Sequence, residues 1–167
     1  MKCQHLLLTL AAVCLLHTLA LAHDTANGST SNANVLIDSI GNGAVNWDTI
    51  SRTRITIPTG EPTHTCVATA SADMDNPGDT GDENQYLFVL TLNDTSPSRD
   101  NGAERMLELV DNTGVDDPDS LPVSTTRTFR VGPGSHWFYF LGTKVNNGDD
   151  DARVLDATLS VVCVDGV

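Results

Sequence analysis

Leu155-Asp-Ala-Thr-Leu-Ser-Val-Val-Cys163 is the stretch that decides the fold class. Leu155, Ala157, Leu159, Val161 and Cys163 share one parity, and Asp156, Thr158 and Ser160 share the other. A period of two is the mark of a strand with one face in a core and the other in water. The alternation predicts those five residues on the inner face, so Cys163 points into the core.

The stretch around the other cysteine of the same half, Thr63-His-Thr-Cys-Val-Ala-Thr-Ala-Ser71, alternates in the same way. His64, Cys66, Ala68 and Ala70 fall on one side. Thr63, Thr65, Val67, Thr69 and Ser71 fall on the other. The small residues beside Cys66 leave room for a close neighbour. Cys66 and Cys163 are therefore expected to form a disulfide between the strand at 63–73 and the strand at 152–164, with Cα atoms about 5–6 Å apart.

Further strands are predicted at 34–40, 51–57, 84–92, 103–110, 124–131 and 136–144, separated by Gly, Pro, Asn and Asp. Tyr86–Leu92 and Trp137–Leu141 are apolar on both faces and read as central strands, either covered twice or lining an interface. The one helix-compatible stretch, Ala103–Val110, is bracketed by Asn101-Gly102 and Asn112-Thr-Gly114 at strand length. About eight short strands without a convincing helix predict an all-β, two-sheet antiparallel sandwich, either a jelly roll or an immunoglobulin-like arrangement. No Cys…Trp…Cys order is present, because Trp47 precedes Cys66.

The N-terminus predicts export. Lys2 is followed by an apolar run from Leu6 to Leu21 that ends in Ala20-Leu21-Ala22. Residues 1–22 read as a cleavable signal peptide, short for a membrane span. Cys3 and Cys14 would leave with it, and the two remaining cysteines suit a secreted, extracellular or periplasmic protein. Residues 23–33 lack any large apolar side chain and read as a flexible leader, which leaves 34–167 as the sandwich domain.

The full chain of 167 residues carries a formal charge of −13, and loss of Lys2 with the signal makes it −14. An acidic surface of this kind repels nucleic acid and anionic lipid, and it attracts divalent cations. Three loops concentrate Asp. Calcium, which takes six to eight hard oxygen ligands, is the cation they could hold, and the candidate ligands are Asp73, Asp75, Asp79, Asp82, Asp116, Asp117 and Asp119. Pro77 and Asn84 stand where an EF-hand would need ligands, so that motif is excluded. The competing explanation is that Asp and Asn simply make good turns.

No catalytic motif is present. Pro133-Gly134-Ser135-His136 reads as a turn into a strand rather than a nucleophile elbow. Cleavage after Ala22 would expose His23, which is similar to the copper-chelating N-terminal histidine of polysaccharide-degrading monooxygenases. The likeness stops at that residue. What remains is a binding reading: Trp137 and Tyr139, if they face outward, make a platform for a glycan or a protein. The alternative is a structural protein that associates with copies of itself in a surface or matrix.

Overall fold

Two cysteine-bearing strands lie side by side at the centre of one sheet, and a second sheet completes the described structure. The computed structural model describes residues 25–30, 35–37, 46–75, 83–97, 104–110, 120–145 and 152–165. They form nine strands: β1 (Thr25–Thr30), β2 (Val35–Ile37), β3 (Asp48–Ile57), β4 (His64–Asp75), β5 (Glu83–Leu92), β6 (Glu104–Val110), β7 (Ser120–Val131), β8 (Gly134–Lys144) and β9 (Ala152–Asp165). Sheet A has the order β1-β9-β4-β7, with β2 extending the β1 edge along β9. Sheet B has the order β3-β8-β5-β6. Every pairing is antiparallel.

The pairing is nested: β2 with β9, β3 with β8, β4 with β7 and β5 with β6. One long hairpin rolled on itself produces this order, with β4 and β5 then meeting β9 and β8 across the roll. That is the jelly roll, and it separates the two sandwiches left open by the strand spacing. An immunoglobulin sandwich pairs its second strand with its fifth instead.

Side-chain size explains how the sheets approach. Sheet A offers Cys66, Ala68, Ala70 and Ala72 from β4, all buried. Sheet B fills the space in front of them with Tyr86, Phe88, Phe138 and Phe140, each fully buried. Phe129 of β7 meets Phe138 edge-on, with ring centroids 5.5 Å apart, and so joins the sheets. Small residues facing large ones let the layers interdigitate at interior density. Arg127 closes the β7 side. Its guanidinium lies 5.0 Å from the Phe129 ring and donates at 2.8 Å to the carbonyl of Leu90, one residue beyond the last β5 residue paired to β6.

The disulfide joins Cys66 to Cys163 as expected, with S–S 1.99 Å. The Cα atoms are 3.9 Å apart, closer than 5–6 Å. The two cysteines are direct register partners on neighbouring strands, where opposed Cα atoms lie about 4.5–5.5 Å apart, and the bonded pair is drawn closer than that.

Two features depart from the reading of the sequence. Leu155 is not on the inner face; it is 40% exposed. The register between β4 and β9 shifts between Asp73 and Met74, opposite Asp156 and Val154, and Leu155 is the extra residue. A bulge resets the alternation, so Val154 and Ala152 point inward before it and Ala157 after it. Within the stretch read as a leader, residues 25–30 form β1, opposite 157–162 of β9. An edge strand needs only backbone donors and acceptors, so apolar content is a poor guide to it. The signal segment lies outside the described residues.

Candidate functional site

On the outer face of sheet B, the residues that alternate with the core-facing Phe138 and Phe140 are Trp137, Tyr139 and Leu141. Leu141 and Val89 are fully buried and Leu87 is buried, the latter two on the neighbouring strand β5, although none belongs to the inter-sheet core. The cover comes from the chain itself. After β5 the backbone turns at Asn93, which has φ 55°. Thr91 Oγ1 donates to the Asp94 carbonyl, and Trp47 Nε1 donates at 3.0 Å to the carbonyl of Pro97, a buried residue. β5 is therefore covered on both sides within one chain, which accounts for its unbroken apolar run.

Trp137 and Tyr139 lie beyond this cover and are half-buried. Their rings stack with centroids 6.3 Å apart and planes 29° apart. Arg54 is the register partner of Trp137, and Arg52 is that of Tyr139. Both guanidinium carbons lie over the Trp137 ring, at 5.4 Å for Arg54 and 5.2 Å for Arg52. Both arginines are exposed, and among the described residues neither is paired with a carboxylate. A guanidinium lying on an aromatic face loses rotamer freedom and keeps its N–H edges for a ligand. The result is a small cationic-aromatic face on a strongly acidic protein.

Asn93 fixes the position of Trp137. Its backbone N–H donates to the Trp137 carbonyl, and its Oδ1 accepts from the Trp137 N–H, both at 2.8 Å. Its Nδ2 also reaches His136 Nδ1 at 3.3 Å. His136 Nε2 donates to the Gly132 carbonyl at 2.8 Å, which leaves Nδ1 as the acceptor. His64 Nδ1 similarly donates to the Pro62 carbonyl at 2.9 Å. Both histidines thus have structural work. Sequence reasoning singled out Trp137 and Tyr139 but missed Arg52, Arg54 and Asn93. The Arg-Thr-Arg alternation at 52–54 carried a signal, but its meeting with Trp137 depends on the β3–β8 register.

Two of the acidic candidates, Asp73 and Asp75, lie among the described residues. Asp73 is exposed on the outside of β4, opposite Asp156 of β9, and Asp75 ends β4. Asp79, Asp82, Asp116, Asp117 and Asp119 lie outside the described residues. Among the described residues no three His, Cys, Asp or Glu side chains come together as a metal site would require. The register does place the strand ends around 75, 83, 110, 120, 144 and 152 at one pole, so the three Asp-rich connections all leave from the same end. Among the described residues no helix is long and apolar enough to cross a membrane.

No protein-family model matches the sequence, and no curated protein matches it. Among solved structures the chain is similar to part of dimeric latent PorU from Porphyromonas gingivalis, with a TM-score of 0.44 and 9% identity. The likeness covers 87% of this chain and 13% of that one, so this chain spans a small fraction of that protein's length.

Proposed function

We propose that this chain is a secreted, non-enzymatic β-sandwich module that binds an extracellular glycan carrying carboxylate or sulfate groups. The observation that carries this reading is the Arg52–Trp137–Arg54 arrangement with Tyr139 stacked beside it. A bare tryptophan face would suit a neutral sugar ring. Here two guanidinium groups already lie against that ring and offer donors matched to an anionic substituent, with Tyr139 as the flanking aromatic surface. Export is supported by the apolar N-terminal run and by a disulfide that needs an oxidising compartment.

The test is a binding screen of the exported protein against uronate polymers, sulfated polymers and neutral polysaccharides. Retention on the anionic polymers, lost in Trp137→Ala and in the Arg52→Ala/Arg54→Ala pair, is the expected result. Retention only on a protein ligand would replace the glycan, and no binding to any polymer by folded protein would overturn the reading.

A further inference from the structure

The outer face of sheet B changes chemistry from strand to strand. On β3, at the edge of the sheet, Arg52 and Arg54 are followed by Thr56, and all three are exposed. Their register partners on β8 are Tyr139, Trp137 and Ser135. Thr56 and Ser135 share a hydrogen bond of 3.0 Å between their hydroxyls, and both are exposed. The two arginine–aromatic rows therefore continue into a third row made of two hydroxyls. One hydroxyl hydrogen bridges the pair, so the other remains to donate and both oxygens remain to accept, which suits a ring hydroxyl rather than an anion. Residues two apart on a strand lie about 7 Å apart, so three rows cover about 14 Å, or roughly three pyranose rings end to end.

The β5 side carries the opposite charge. Thr91 is the register partner of Tyr139, and its Oγ1 donates to the Asp94 carbonyl. That bond holds the turn after β5 against the outer face beside Tyr139. Asp94 is exposed, and its Oδ1 accepts from the Ser96 N–H at 2.8 Å, which fixes the carboxylate in place. A carboxylate held there repels an anionic chain laid across the strands, whereas the two guanidinium groups attract one laid along them.

We propose that an anionic glycan lies along β3 and β8, with its charged groups on Arg52 and Arg54 and its next ring on the Thr56–Ser135 pair, and that Asp94 keeps it off β5. This rests on the reading of the face as a site for an anionic glycan, and adds to it a direction, a length and two determinants of specificity. Both guanidinium groups lie over one indole ring, so the anions they take belong to the same sugar ring or to adjacent ones. The ligand class is a linear polymer that carries charge on successive rings and a free ring hydroxyl beyond them.

Calorimetric titration of the exported protein with oligogalacturonates of about two to about six rings, and with sulfated galactan oligomers of the same lengths, tests this. Affinity is expected to rise up to about three rings and then to level off. Thr56→Ala/Ser135→Ala should cost about fivefold with three rings or more and nothing with two, the worth of about one neutral hydrogen bond. Asp94→Asn keeps the oxygen that caps Ser96 and removes the charge, so it should tighten binding of every oligomer, more at low salt than at high. Affinity that ignores length, an equal loss in the hydroxyl variant for two rings and for six, or unchanged or weaker binding in Asp94→Asn would each overturn this inference while the reading of the face survives. Failure of every oligomer and polymer to bind the folded protein would overturn both.

Discussion

Asn93 and Trp137 hold each other by two hydrogen bonds of 2.8 Å, one from the Asn93 backbone N–H to the Trp137 carbonyl and one from the Trp137 N–H to Asn93 Oδ1. Asn93 does this with φ 55°, a left-handed conformation that Asn tolerates better than most residues. Asn93→Gly should keep the backbone but lose the side-chain acceptor, at about 1 kcal/mol. Asn93→Val should cost about 1–3 kcal/mol more, because a β-branched residue is strained there. Urea denaturation of the two variants checks the order.

Removing the disulfide should destabilise strongly without dissolving the sheets. Cys66 and Cys163 are 97 residues apart, and closing a loop of that size is worth about 4–5 kcal/mol in the chain-entropy model. The Cys66→Ser/Cys163→Ser protein is expected to melt well below the parent and to retain its β signal in circular dichroism at low temperature.

Gly142 marks a close approach in the core. A Cβ there would lie 2.9 Å from Ile50 Cδ1, 3.0 Å from Ile37 Cδ1 and 3.3 Å from Phe88 Cε1. Gly142→Ala should lose about 1–3 kcal/mol through overpacking. Adding Ile50→Val removes the nearest methyl, so the double variant should recover part of that loss in thermal melts.

Arg127→Met should weaken the closure between sheets. It keeps much of the aliphatic stem but gives up the hydrogen bond to the Leu90 carbonyl and the cation above Phe129. The expected loss is about 1.5–3 kcal/mol, the range for hydrogen bonds with one charged partner. Hydrogen exchange at the end of β5 should speed up more than exchange in β9, since the released carbonyl belongs to β5.

Strands were legible wherever one face is buried by the sheet opposite. At 63–71 and 157–163 the period of two placed Cys66 and Cys163 on the inner face, and the same alternation separates Phe138 and Phe140 from Trp137 and Tyr139. Local patterning sufficed there because burial acts on each side chain through its own parity along the strand. It failed at Leu155, where one inserted residue changes the phase, and at β1, whose partner is a backbone edge rather than a core.

The amino-acid sequence by itself determined the all-β class and the parity of the alternating stretches at 63–71 and 157–163, which turned Cys66 and Cys163 toward the core, because these follow from side-chain polarity along the chain. Only the tertiary structure decided between jelly roll and immunoglobulin order and brought Arg52 and Arg54 to Trp137. Those outcomes depend on which strands pair and in what register. Pairing is set by the summed packing of both sheets, and no single segment of sequence encodes it.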